Sequence, residues 1–140
     1  EDCDVDGPFD AVIGSSVLHH LDTEAALAKI YSLLRPGGVM SFAEPNMLNP
    51  QVFAERTFLR NRLSYISPDE TAFVRWPLAK QLAEAGFTEV QIEPFDWLHP
   101  ATPSAVIGGV NRVGAWLEFV PMARELAGSL HIRAKRPANS

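Results

Sequence analysis

Cysteine is almost missing from this chain. Cys3 is the only one in 140 residues. No internal disulfide can form, and no thiolate-based zinc site can be built. A reducing, cytoplasmic setting is the expectation. Positive charge is also short, with 12 Lys and Arg against 17 Asp and Glu and a formal net charge of −5. Such a balance argues against nucleic-acid binding through a basic field and against attraction to an anionic membrane. No apolar run approaches the roughly 20 residues of a membrane span, and the start carries no secretory signal. The nine glycines spell neither GxGxxG nor a phosphate loop ending in Gly-Lys. Internal repeats and low-complexity tracts are absent as well.

What is present is an ordinary globular mixture, 46% hydrophobic and 21% charged, enough for one α/β domain. Phe9-Asp10-Ala11-Val12-Ile13-Gly14 is a short apolar run behind the turn Asp6-Gly7-Pro8. It reads as a buried strand of a parallel sheet. Asp22 or Thr23 can cap a helix whose apolar face is Leu27, Ile30, Tyr31 and Leu34. Pro36-Gly37-Gly38 stops that helix and turns the chain. Val39 to Ala43 is the next strand, which completes a βαβ unit.

Residues 46–75 form a first excursion, with a helix expected over Gln51 to Leu63. Pro77 suits the first turn of another helix, Leu78, Leu82 and Ala85 share a face, and Gly86 is placed to end it. Thr88 to Glu93 alternates as a strand does. Residues 95–128 form a second excursion, with a helix expected from about Ser104 to Leu117. Ser129 to Ala134 is a final strand and Lys135 to Ser140 a polar tail. The economical organisation is a single domain with two helical inserts that wall a ligand site.

Two segments carry a family resemblance. Phe9-Asp10-Ala11-Val12 running into Leu18-His19-His20-Leu21 resembles the fourth strand and following loop of class I S-adenosylmethionine-dependent methyltransferases. Leu33-Leu34-Arg35-Pro36-Gly37-Gly38-Val39 resembles the turn into their fifth strand, and Ala85-Gly86-Phe87-Thr88-Glu89-Val90 the approach to their sixth. The resemblance implies a partial Rossmann-like fold, the C-terminal half of a doubly wound sheet. Its last strand is expected to insert antiparallel between the two before it. On this reading the chain begins just before strand four. The family's glycine-rich cofactor loop and its ribose-binding acid have no counterpart here.

The same resemblance implies the chemistry, methyl transfer from S-adenosyl-L-methionine to a small-molecule acceptor. Asp2 and Cys3 are expected at the adenine, with Ser15, Ser16 and Val17 lining the cofactor at a strand end; the plainer alternatives are a solvated acidic terminus and a polar loop. His19 or His20 could take a proton from the acceptor, although an activated sulfonium requires no base where positioning suffices. Glu44 and Asn46 at the next strand end, with Trp76 and His99 from the excursions, are expected to meet the acceptor. Core packing is the alternative for the tryptophans, and a solvated helix face is the reading for Arg56, Arg60 and Arg62. No metal site is expected, since adjacent His19 and His20 point differently and no further ligand completes a set.

The isolated chain is expected to be inactive and to assemble as a homodimer or larger through the strand at 9–14. Two rival readings are a non-catalytic binding or assembly fragment and a nicotinamide-dependent oxidoreductase fragment.

Overall fold

The computed structural model describes residues 5–59, 71–99 and 102–139. Its centre is a four-stranded sheet. The strands are β1 (Phe9–Ser15), β2 (Leu34–Pro45), β3 (Thr88–Phe95) and β4 (Ser129–Lys135). Their order across the sheet is β1-β2-β4-β3. β1 and β2 are parallel, and β4 runs antiparallel to both β2 and β3. The last strand therefore lies between β2 and β3, as the resemblance implied.

Helix α1 (Thr23–Leu33) joins β1 to β2. Asp22 caps it, its carboxylate accepting from Ala25 N at 2.8 Å. Leu27 and Ile30 bury the inner face. Helix α3 (Arg75–Glu84) precedes β3 and buries Leu78 and Leu82. Its end is a Schellman motif. Gly86 N donates to Ala83 O and Phe87 N to Leu82 O, both at 3.0 Å. Gly86 sits at φ +94°, and a Cβ there would lie 3.2 Å from the Tyr31 ring. Phe87 closes behind it, edge-on to Tyr31 at 5.2 Å between centroids, and so ties α3 to α1.

β2 is longer than expected. It begins at Leu34 and takes Pro36-Gly37-Gly38 into the strand. The ladder with β1 accommodates them as an irregularity, since Phe9 faces Leu34 while Ala11 already faces Val39. The exposed backbone of this bulge is not left unpaired. Gly37 N donates to Arg136 O, and Arg136 N donates to Gly38 O.

The expected helix at 51–63 is a short α2 (Pro50–Ala54) continued by one π-helical turn, Glu55–Leu59. Its remaining residues lie outside the described ones. Asn49 starts it, accepting from Gln51 N and Val52 N at 3.0 Å each. The second excursion holds a 3-10 turn (Ser104–Val106), α4 (Ile107–Leu117) and α5 (Pro121–Arg124), so the helix expected from Ser104 begins with a tighter turn.

The core lies on one face of the sheet. Met40, Phe42, Leu130, Ile132 and Ala134 point there and are buried with Leu18, Leu27, Leu34, Leu78 and Leu82. The opposite face is open among the described residues. Ile13 is 78% exposed there, beside Ser41 in the ladder. The expectation of a buried β1 is therefore corrected. Among the described residues nothing pairs with its outer edge or covers that face, so Phe9 and Ile13 stay exposed while Val12 packs against the core.

A substitution tests the α3 terminus. Gly86→Ala should cost about 1–2 kcal/mol, because an L-residue at this φ is strained and its Cβ meets Tyr31. Urea unfolding measures it; an unchanged midpoint would remove the Schellman account.

Candidate functional site

Ligands of open α/β sheets bind beyond the carboxyl ends of the parallel strands. At that end of β1 and β2 the described structure has a solvent-open hollow of about 410 Å³. Ser16, His19 and His20 line it from the β1 side. Asn49, Gln51, Glu55 and Arg56 line it from the first excursion, and Trp97, Leu98 and His99 from the second.

Strand periodicity builds the floor. Along β2 the buried positions alternate, Met40, Phe42, Glu44. Glu44 thus points to the core face and is only 1% exposed. Its carboxylate is fully engaged. Oε1 accepts from Val17 N at 3.0 Å and Leu18 N at 2.9 Å. Oε2 accepts from His19 N at 3.4 Å and lies 2.7 Å from His19 Nδ1. Burial pushes the Glu44 carboxyl up. The hydrogen bond from His19, those from Leu18 and Val17, and the attraction of the imidazole together outweigh burial, and the carboxyl is held below its ordinary range.

The chain leaves β1 through Ser16, at φ +52°, whose N–H donates to Ala43 O. Residues Leu18–His20 then make a 3-10 turn whose leading N–H groups end on Glu44. His19 is 4% exposed, and its ring centroid lies 4.0 Å from that of exposed His20.

Two asparagines join the walls. Asn46 is buried, donating to Glu125 O and Ala127 O at 2.8 Å each and accepting from Leu48 N. Asn49 donates to Leu126 O at 2.8 Å while it caps α2. Across the hollow, His99 Nε2 lies 3.0 Å from Glu55 Oε1, so a side-chain contact spans from one excursion to the other.

The hollow brings together Ser16, His19, His20 and His99 of the residues singled out by sequence, with Arg56 on its wall. Glu44 and Asn46 lie beneath it, their polar atoms committed to protein partners. Val17 lines a neighbouring apolar hollow with Val12, Leu21, Ala26 and Phe42. Trp76 is elsewhere. It is 56% exposed, under the Arg75 guanidinium, in a hollow along β3 with Val90 to Pro94 and Arg124. Trp76, on the first turn of α3, and His99 line different hollows. Asp2, Cys3, Arg60 and Arg62 lie outside the described residues. Glu55, Asn49 and Gln51 were not singled out as site residues; Glu55 meets His99 across 44 positions of sequence, a pairing no local pattern announces. Among the described residues no group of three His, Cys, Asp or Glu is placed to hold a metal ion.

Similarity to known proteins agrees with this architecture. Residues 5–42 match the family model described as "Methyltransferase domain". A search of curated protein sequences returns no significant match. Among solved structures, a SAM-dependent methyltransferase of Thermotoga maritima, described as a possible histamine N-methyltransferase, is similar at 17% identity and TM-score 0.67, with 94% of this chain and 57% of that one covered. A SAM-dependent methyltransferase of Archaeoglobus fulgidus is similar at 20% identity and TM-score 0.57, covering 93% and 60%. The N-methyltransferase NodS of Bradyrhizobium japonicum, solved with S-adenosyl-L-homocysteine, gives 16% and 0.54, covering 97% and 50%. The chain thus spans between half and 60% of the length of these proteins.

The Glu44 clamp predicts an acid-sensitive structure. A carboxyl with a lowered folded pKa contributes stability that is complete above its unfolded pKa and is lost as pH falls through the folded one. The stability gap between wild type and Glu44→Gln should therefore narrow as pH drops below the ordinary carboxylate range. Glu44→Ala leaves buried N–H groups without an acceptor and should cost about 3 kcal/mol or more at neutral pH. Thermal unfolding across pH measures both; a gap constant with pH would mean the carboxylate is not charged in the fold.

In the sequence of residues 5–42 and in the fold of the described chain, this protein resembles the class I S-adenosylmethionine-dependent methyltransferases.

Proposed function

We propose that this chain takes part in S-adenosyl-L-methionine-dependent methyl transfer to a small-molecule acceptor, contributing the acceptor side of the site and one flank of the cofactor cleft. The observation that carries the reading is the hollow of mixed polar and apolar lining at the carboxyl ends of β1 and β2, with His19 among its walls and held by Glu44.

The residues fit one flank of the cofactor. Ser15 ends β1 and Ser16 beyond it lines the hollow, where hydroxyl, amide and imidazole groups stand beside Trp97 and Leu98, a mixture suited to a ligand with both charged and apolar parts. Asp2 and Cys3 belong to the same flank on the family's pattern. The opposite flank requires a glycine-rich loop that the sequence does not contain. Bound there, the cofactor supplies a sulfonium-activated methyl group. This chain's part is to orient the acceptor between the two excursions and to exclude water. His99 and Glu55 hold the excursions together over the hollow, and Asn46 and Asn49 anchor both to the β2 end.

Missing bonds to a charged ligand are worth about 1.5–3 kcal/mol each, so the chain should bind the cofactor only weakly. Photo-crosslinking with methyl-labelled S-adenosylmethionine at millimolar concentration tests the reading. The label should map to the peptide spanning 15–20 and be displaced by S-adenosylhomocysteine but not by NAD. Displacement by NAD alone would favour an oxidoreductase, and no crosslink at all a non-catalytic fragment.

Assembly belongs to the same proposal. The outer edge of β1, unpaired among the described residues, with exposed Phe9 and Ile13, favours a homodimer or larger assembly. Light scattering should show a species above 15.4 kDa that Ile13→Lys reduces to monomer. A wild-type monomer at high concentration would end that reading. A cytoplasmic setting is also proposed; no helix among the described residues is long and apolar enough to cross a membrane.

A further inference from the structure

The second excursion carries apolar surface that nothing among the described residues covers. Helix α4 buries Gly114 alone, while Val106, Val113 and Trp116 are exposed. Val106 at its start, then Val110, Val113 and Leu117, recur at helical spacing and so share a face. With Gly109, Gly114 and Trp97 they line a hollow of about 390 Å³, within the range of roughly 300–1,000 Å³ usual for small-ligand sites. Every lining residue is apolar or glycine. Arg112, the charged residue of α4, is not among them.

The glycines bear on what this hollow is for. Glycine is a poor helix former, yet α4 holds Gly108, Gly109 and Gly114. Packing accounts for Gly114, since a Cβ there would lie 2.6 Å from the Trp97 ring. It does not account for Gly108 or Gly109, where a Cβ would meet nothing within 4 Å. Of these two, Gly109 lines the hollow, and a side chain there would take up its space. Trp97 is also a wall of the hollow at the carboxyl ends of β1 and β2. The two spaces therefore share one indole, the first mixed in its lining and the second wholly apolar.

We propose that the apolar hollow along α4 seats the hydrocarbon chain of the methyl acceptor, which is an amphiphile whose polar head stands in the mixed hollow on the other side of Trp97. This rests on the methyl-transfer reading and names its acceptor class. A hydrocarbon chain laid there leaves water without stranding a polar group or a charge of the protein. It also covers valines that the fold leaves exposed. A polar acceptor would gain nothing from such a surface. A free amphiphile and a lipid within a bilayer share this chemistry, and the test separates them.

The probe is ω-bromodecanol, an uncharged alcohol whose bromine quenches a neighbouring indole. Trp76→Phe with Trp116→Phe leaves Trp97 as the only tryptophan of the full 140-residue chain. Its fluorescence should be quenched saturably. Bromoethanol, with the same head and halogen but no chain, should quench only in proportion to its concentration. Gly109→Leu should weaken binding of the long alcohol about tenfold, as when roughly two methylene groups lose their seat. Gly108→Leu, the same change beside the hollow, should leave binding unaltered. If Gly109→Leu does not fold, the contrast between the two alcohols still decides. Vesicles of phosphatidylcholine with brominated acyl chains distinguish the sources. Quenching by both long alcohol and vesicles supports the proposal and puts a bilayer within the acceptor's reach. Quenching by vesicles alone overturns it in favour of a membrane-docking face. Unsaturable quenching, or equal effects of the two glycine substitutions, overturns it as well. So does a smaller assembly in Gly109→Leu by light scattering without alcohol binding, which would make the face a contact between copies. Saturable quenching without cofactor crosslinking would fault the methyl-transfer reading and leave the apolar site standing; crosslinking without quenching would do the reverse.

Discussion

One buried carboxylate organises the functional end of this molecule. Glu44 stands where the core side of β2 meets the loop leaving β1, and it accepts from three successive backbone N–H groups and an imidazole. A buried charge without such partners would be strongly unfavourable. With them, the cost of burial becomes the reason the loop has a single shape. Val17, Leu18 and His19 turn their N–H groups onto this carboxylate, and the 3-10 turn forms over it. That turn sets the start of α1, because Asp22 caps the helix two residues beyond it. Sheet, turn and helix are registered to one another through one side chain.

The walls of the hollow depend on a second device of the same kind, made from neutral amides. Asn46 and Asn49 follow Glu44 at the end of β2. Their carboxamides reach the carbonyls of residues 125–127, and their oxygens cap the local chain. The second excursion thus returns to the sheet under the control of the first. Asn46 N also donates to Gly128 O at 3.0 Å, which hands the chain on to β4. Loops usually vary in position because their backbone bonds go to water. Here several go to two buried or half-buried side chains, which is why residues some 80 positions apart share one rim.

The sheet was legible in the sequence because its signals are local. The βαβ rhythm, the Asp22 cap, the Gly86 terminus and the final strand each depend on a few neighbouring residues, and each formed close to where periodicity placed it. Insertion of β4 between β2 and β3 was different, implied by family resemblance and not by any local pattern. The site was only half legible. Glu44 was noticed as a polar residue at a strand end and expected to face a ligand. Counting by two from Met40 through Phe42 would have placed it on the core face instead. His19 and His20 could not be told apart, since what separates them is a contact made across 25 positions. Trp76 shows the opposite failure. Aromatic richness suggested a common wall, but the direction of a helix's first turn is fixed by packing against β3, which composition does not encode. The exposure of β1 had no sequence signal either, because an apolar run reads the same whether or not something covers it.

That open flank raises the question of how far the site depends on it. The apolar burial that holds the sheet together lies on the α1 and α3 side, and the groups that shape His19 come from the β1 exit, β2 and the turn between them. None of the Glu44 bonds reaches the outer edge of β1 or the exposed face that carries Ile13. A group packed on that face would add buried area to β1 and would have no bond to replace at Glu44, whose partners are Val17, Leu18 and His19. The imidazole of His19 is held by its contact with Glu44, which lies within the described chain. The geometry around Glu44 is therefore independent of what lies beyond the outer edge of β1.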